Sequence, residues 1–200
     1  MSSFKLVAIL FLVCGIAAGS LAFVNAATKE PIARYAAIER EEARKRVFPG
    51  ADVFTENGSY KEWAELKLDA KAGSVFGWNA MKNGAAVGRV FQTSIQGYSG
   101  PIKIVFGVDP ERVVTGVRIL SHTETPGLGA KITTEQFLGQ YAGKTLDQLL
   151  LKKDDPSRGT LDAISAATIS SRAVTRAIHG ALNAAAEGMD SVSAAIAGGK

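Results

Sequence analysis

The apolar positions along the chain fall into three patterns. From Leu6 to Val24 the sequence reads LVAILFLVCGIAAGSLAFV, without one charge. As a helix this run spans roughly 28 Å, close to a bilayer core. It predicts a membrane-spanning helix over 6–26 behind a short tail, 1–5. A cleaved signal peptide shares this start, with Met1 to Lys5 as the n-region and Val24-Asn25-Ala26 as the cleavage site. The apolar run is longer than the usual h-region, which favours an uncleaved anchor. Flanking charge leaves the orientation open, because basic residues lie on both sides of the run.

The second pattern is a charged helix from Thr28 to Phe48, with Pro31 in its first turn and Pro49-Gly50 as its stop. Glu41–Lys45 and Glu42–Arg46 are i,i+4 pairs on a solvated face. This segment, 27–50, reads as a stalk. The third pattern begins at residue 51. Tyr60 to Leu68 alternates in part, and Val75–Met81 and Ala85–Ile95 flank Lys82-Asn83-Gly84, a hairpin turn. Ile102–Val108 and Val113–Leu120 flank Asp109-Pro110-Glu111, a second one. Helical patterns follow at Thr134–Tyr141 and Ser171–Ala186. In the last of these Ala173, Val174, Ala177, Ile178, Ala181, Leu182 and Ala185 share one face, with Ser170 or Ser171 as N-cap. Strands first and helices after predict an α+β domain, an antiparallel sheet with packed helices, over 51–190. Residues 191–200, small and Gly-rich, read as a flexible tail.

Composition narrows the chemistry. The single cysteine, Cys14, excludes an intramolecular disulfide, a multi-cysteine zinc site and a cluster ligated by this chain alone. Val13 stands before it, where a lipid-anchor motif needs a small residue. The two histidines have no ligand spacing, and no metal site is expected. A net charge of +4, with no basic block interleaved with aromatics, argues against nucleic acid. No Ser/His/Asp arrangement or carboxylate pair marks a hydrolase.

The segment before the last helix carries the chemistry. In Asp162-Ala163-Ile164-Ser165-Ala166-Ala167-Thr168, small residues allow close approach of the backbone to a ligand. The helix start behind them offers open N–H groups to an anion, and Arg172 a guanidinium. The residues by themselves predict an anion site with hydroxyls nearby. A loop, His122-Thr123-Glu124-Thr125-Pro126-Gly127-Leu128-Gly129, presents Leu128 as a surface for a flat ring, and Gly97-Tyr98-Ser99-Gly100-Pro101 precedes a strand.

Asp162-x-x-Ser165-Ala166-Ala167-Thr168 resembles the flavinylation motif of FMN-binding domains, D-x-x-(S/T)-G-A-T. Glu124 to Gly129 resembles the E-T-P-G-L-G stretch of the same family. Ala166 departs from it, and a methyl group there disfavours a positive φ. With the anchor, and roughly from Gly73 to Ala186, the chain is similar to the RnfG family of Rnf ion-translocating electron transport complexes. NqrC of the sodium-pumping NADH:quinone reductase is the related alternative, and a membrane-anchored module without covalent flavin is a further one.

The resemblance implies a redox subunit of an ion-translocating ferredoxin:NAD oxidoreductase, a translocase with no independent turnover. It implies FMN esterified to Thr168 by a flavin transferase that uses FAD. Ser165, Ala166, Ala167, Ile169 and Ser170 would surround the phosphate, and Glu124, Thr125, Gly127 and Leu128 the ring. Asp162 would serve transferase recognition or cap a turn. His122 would be structural or a flavin neighbour. The partners implied are the other membrane subunits of the Rnf complex. The implied topology is single-pass in the cytoplasmic membrane, N-terminus inside and flavin domain outside.

Overall fold

A computed structural model of the chain describes residues 3–56 and 75–197. The expected strand Tyr60–Leu68 and Gly73 lie outside the described residues. The chain divides into two compact units, Met1–Glu41 and Glu42–Lys200.

The first unit is helix. One continuous element, α1, runs Ser3–Val47, where the pattern predicted two. Asn25 to Glu30 holds no breaker, and Pro31 sits inside the helix rather than at a start. Its missing N–H leaves the Ala27 carbonyl without the usual donor, and Thr28 Oγ1 donates to the Val24 carbonyl at 2.8 Å. The helix is long and apolar enough to cross a membrane, and none of its apolar window is buried within the fold.

Among the described residues, the second unit is an α+β domain on a five-stranded antiparallel sheet, ordered β1-β2-β3-β4-β5. The strands are β1 (Val53–Glu56), β2 (Phe76–Lys82), β3 (Ala85–Gln96), β4 (Pro101–Val108) and β5 (Val114–Ser121). Lys82 pairs with Ala85, leaving Asn83 and Gly84 as a two-residue turn with φ of 51° and 79°. Both positive angles suit the twist of a hairpin. In the second hairpin Asp109 Oδ1 accepts from Val113 N at 2.8 Å, and Arg112 takes the left-handed position.

Both sheet faces are covered. Phe91, Ile95, Ile104 and Phe106 face a core completed by Ile132, Phe137, Tyr141, Leu151 and Leu161. The final helix, α3 (Thr168–Ala197), adds Ala173, Val174, Ala177, Ile178, Ala181 and Leu182. Helix formation runs on to Ala197 through alanine-rich sequence, so 191–197 is helical where a tail was expected. Thr134–Tyr141 is a short helix, α2 (Glu135–Leu138), tightening into a 3₁₀ turn at Gly139–Tyr141. Burial pushes the Tyr141 phenol well above its usual range, and its hydroxyl meets Thr175 Oγ1 at 2.8 Å.

On the opposite face Ala80, Val90 and Val105 pack with Ala43, Val47 and Phe48, the last turn of α1 and the residue after it. The stalk reading missed this layer. Thr115 Oγ1 donates to the Val47 carbonyl at 2.6 Å, satisfying one of the open carbonyls of a helix end. Arg44 lies 4.7 Å over the Trp78 ring, and Glu42 pairs with Arg46 at 3.9 Å. The approach depends on Gly107, where an added Cβ would sit 2.6 Å from the Val47 carbonyl oxygen and 3.2 Å from the Phe48 ring.

Gly107→Ala is expected to destabilise the domain by about 1–3 kcal/mol, the usual cost of overpacking. Thermal unfolding of the full chain measures it, and an unchanged midpoint would mean that this layer is not tightly packed.

Candidate functional site

The chain between Leu161 and α3 makes a tight turn. Ala167 N donates to the Ile164 carbonyl at 3.0 Å, and Ser171 N to the Ala167 carbonyl at 3.0 Å. Ala166, inside the turn, has φ of 63°. The backbone therefore adopts the left-handed conformation, and the methyl group is carried at a cost of about 1 kcal/mol. Helix α3 starts at Thr168, three residues before the expected start. Ser171 is not its cap. It is buried inside the first turns, where Oγ accepts from Ile164 N and donates to the Ala167 carbonyl, both at 3.0 Å. The residue before the helix, Ala167, has no side-chain oxygen. The first-turn N–H groups therefore lack the usual cap and stay open to an anion.

Opposite this helix start stands the loop after β5. Glu124 is 4% exposed. Its Oε1 accepts from Ser99 N at 3.0 Å, and its Oε2 accepts from the Ser170 hydroxyl. The carboxylate thus links the β3–β4 turn to the first turn of α3. Its second oxygen leaves room only for glycine at position 129, where a Cβ would lie 2.7 Å away. His122 Nδ1 accepts from Glu124 N at 3.2 Å, a structural role within the loop.

Between these walls lies a cleft of about 380 Å³, within the range of small-molecule sites. Of the residues singled out in the sequence, Glu124, Thr125, Leu128, Ala166, Ala167, Thr168, Ile169 and Ser170 line it. Tyr98 and Gly129 line it as well. Tyr98, 68% exposed, Ile169, 52%, and Leu128, 45%, form an apolar rim. A tyrosine in the glycine-flanked turn Gly97-Tyr98-Ser99-Gly100 was the available signal for Tyr98. Gly127 and Ser165 are not part of this cleft. Gly127 holds the loop's positive φ, 76°. Ser165 lines a neighbouring cleft with Asp162, Lys131 and Gln140.

A folded loop over residues 151–161 reaches Thr168 from outside the cleft lining. Lys153 Nζ donates to Thr168 Oγ1 at 3.1 Å. Arg172, expected to serve an anion, grips Asp154 through Nε at 2.8 Å to Oδ2 and through a second bond from its terminal nitrogen. That bond holds the Asp154 carboxyl below its usual range. The hydroxyl of Ser157 and the guanidinium of Arg158 hold Asp155 well below it. Asp162 pairs with Lys152 at 2.9 Å, and its backbone N–H donates to Gln140 Oε1 at 2.7 Å.

Flavin mononucleotide fits this donor set. The open helix start and Lys153 supply cationic and N–H partners for a phosphate, Thr168 a hydroxyl beside them, and the rim a surface for a planar ring.

The FMN-binding domain family matches residues 97–183. The G subunit of the ion-translocating oxidoreductase complex of Methanosarcina acetivorans is 32% identical over 90% of this chain and 92% of its own. The G subunit of the Na(+)-translocating ferredoxin:NAD(+) oxidoreductase complex of Acetobacterium woodii is 31% identical over 88% of each. The G subunit of the proton-translocating ferredoxin:NAD(+) oxidoreductase complex of Clostridium ljungdahlii is 30% identical over 76% and 75%. Among solved structures, Shewanella oneidensis NqrC aligns with a TM-score of 0.46 at 23% identity, covering 66% of each chain.

Two outcomes follow from the local geometry. Ala166→Gly should keep or raise stability by up to about 1 kcal/mol, relief of the left-handed strain exceeding the added chain entropy. Ala166→Val should lower it by more than that. Thermal unfolding of the two variants checks the sign. The depressed carboxyls also set a pH dependence. The folded loop binds fewer protons than the unfolded chain, so the stabilisation from these carboxylates is full above about pH 4 and is lost progressively as pH falls from there through their depressed folded values. The protection factor of the Gly159 amide, whose N–H donates to the Asp155 carbonyl at 2.7 Å, should fall only in that acid range.

Proposed function

The chain belongs to the G-subunit family of ion-translocating oxidoreductase complexes, and from that membership we propose that it relays electrons within a ferredoxin:NAD oxidoreductase through FMN esterified to Thr168. The observation that carries this reading is the position of the Thr168 hydroxyl. It stands at an uncapped helix start, beside a lysine ammonium, on the edge of a cleft with an apolar rim.

Each part of the site has a task in this reading. Thr168 tethers the flavin so that a relay cofactor does not leave its chain of carriers. The first-turn N–H groups of α3 and the helix dipole hold the phosphate. Leu128, Ile169 and Tyr98 shield a ring from water. Glu124 keeps the two walls at a fixed distance. The flavin itself supplies one- and two-electron transfer, and the protein orients it and sets its electrostatics. Helix α1, apolar and uncovered along its window, serves as the membrane anchor. The N-terminus lies inside and the flavin domain outside the cytoplasmic membrane, where other subunits of the complex exchange electrons with it. A flavin transferase loads it during maturation.

Intact and peptide mass spectrometry of the chain co-expressed with a flavin transferase tests the attachment. The expected result is a gain of one FMN less one water on the Thr168 peptide, absent from Thr168→Val. An unmodified Thr168 in the presence of active transferase would overturn it.

A further inference from the structure

The loop over 151–161 is held more firmly than its charge and exposure imply. Leu151 and Leu161, both buried, form a parallel bridge. Lys152 N donates to the Leu161 carbonyl at 2.9 Å, and Gly159 N to the Asp155 carbonyl at 2.7 Å. The Asp155 carboxylate accepts from Ser157 Oγ at 2.7 Å and from Arg158 Nε at 2.8 Å. Three consecutive side chains then reach the segment that leads into α3. Lys152 binds Asp162 at 2.9 Å, Lys153 binds the Thr168 hydroxyl at 3.1 Å, and Asp154 binds Arg172. Two ion pairs thus bracket the Lys153–Thr168 bond. They fix the loop on both sides of Thr168 and place the ammonium at its oxygen.

We propose that Lys153 is the positioning residue for phosphoester formation at Thr168, holding the hydroxyl oxygen toward the incoming phosphorus and then balancing the charge of the ester. The inference rests on Thr168 being the attachment residue. In the step, Thr168 Oγ1 forms a bond to the flavin-side phosphorus of FAD. The bond between that phosphorus and the bridging oxygen of the pyrophosphate breaks, and AMP leaves with its electron pair. The hydroxyl proton passes to a base of the transferase or to water. No redox change occurs. A cation donating a hydrogen bond to Oγ1 stabilises that oxygen as its proton leaves, and later stabilises the phosphodiester anion. Arg172 does not fill this role, because its guanidinium is engaged with Asp154 through Nε and a terminal nitrogen, whereas the ammonium bonded to the Thr168 hydroxyl is that of Lys153.

The test is a time course of flavin attachment on the full chain with flavin transferase, FAD and Mg²⁺, read by intact mass. Lys153→Met should slow attachment roughly tenfold, the rate equivalent of one charge-assisted hydrogen bond. The loss should fall on kcat, with the KM for FAD little changed. Lys153→Arg should recover most of the rate, and Lys153→Gln should not. All three should unfold at the temperature of the parent chain, because the side chain is exposed. Should Lys153→Met unfold early, the contrast between the Arg and Gln variants decides. Attachment at the parent rate in Lys153→Met, or in Lys153→Gln, overturns the role of Lys153 and leaves Thr168 as the attachment residue. A parent chain that gains no mass at Thr168 overturns the attachment reading itself.

Discussion

Glu124 accepts a hydrogen bond at each carboxylate oxygen, from Ser99 N–H of the β3–β4 turn and from the Ser170 hydroxyl of the first turn of α3. Three segments far apart in the chain meet at this one buried group. Removing it would leave the buried Ser170 hydroxyl without a partner, at about 1–3 kcal/mol, and would free the Ser99 N–H. The cleft exists because these walls are held apart at a fixed spacing. Position 129 must be glycine for the carboxylate to fit, and Leu128 is carried outward to the rim as a result.

The start of α3 works on the same principle with less cost. The turn before it demands a left-handed residue and finds alanine at 166. The cap position falls on Ala167, which cannot satisfy the helix N–H groups. Both choices are poor for an isolated helix and useful for a site. Uncapped N–H groups and a hydroxyl at Thr168 sit where an anion gains from the dipole. Local sequence preference and global fold conflict here, which is where a functional demand is expected.

Much of this was legible in the sequence, and the rest fails for identifiable reasons. Asn83-Gly84 predicts its hairpin because the signal is local, two residues that tolerate positive φ between alternating strands. The apolar face of α3 from Ala173 to Leu182 is likewise local. The end of α1 was not legible as a sheet-covering layer. Val47 and Phe48 close a charged helix, and what they touch lies far along the chain, at Gly88, Gly107 and Gly116. Eight residues singled out for the site share the cleft. Ser165, which stands inside the same motif, turns toward the neighbouring one, because the turn at 164–167 reverses the chain. The residues alone supported only an anion site, and the flavin entered through the resemblance to a family motif. Lys153 and Asp154 carried no signal, since their roles depend on the buried pairing of Leu151 with Leu161.

The central claim is a covalent bond between Thr168 and a flavin phosphate at the start of α3. A two-dimensional ³¹P–¹H correlation on the loaded protein, purified in detergent, observes that bond directly. The account predicts one phosphodiester resonance coupled both to the flavin's ribityl protons and to the β-proton of Thr168. A flavin phosphorus coupled to the ribityl protons alone would contradict it.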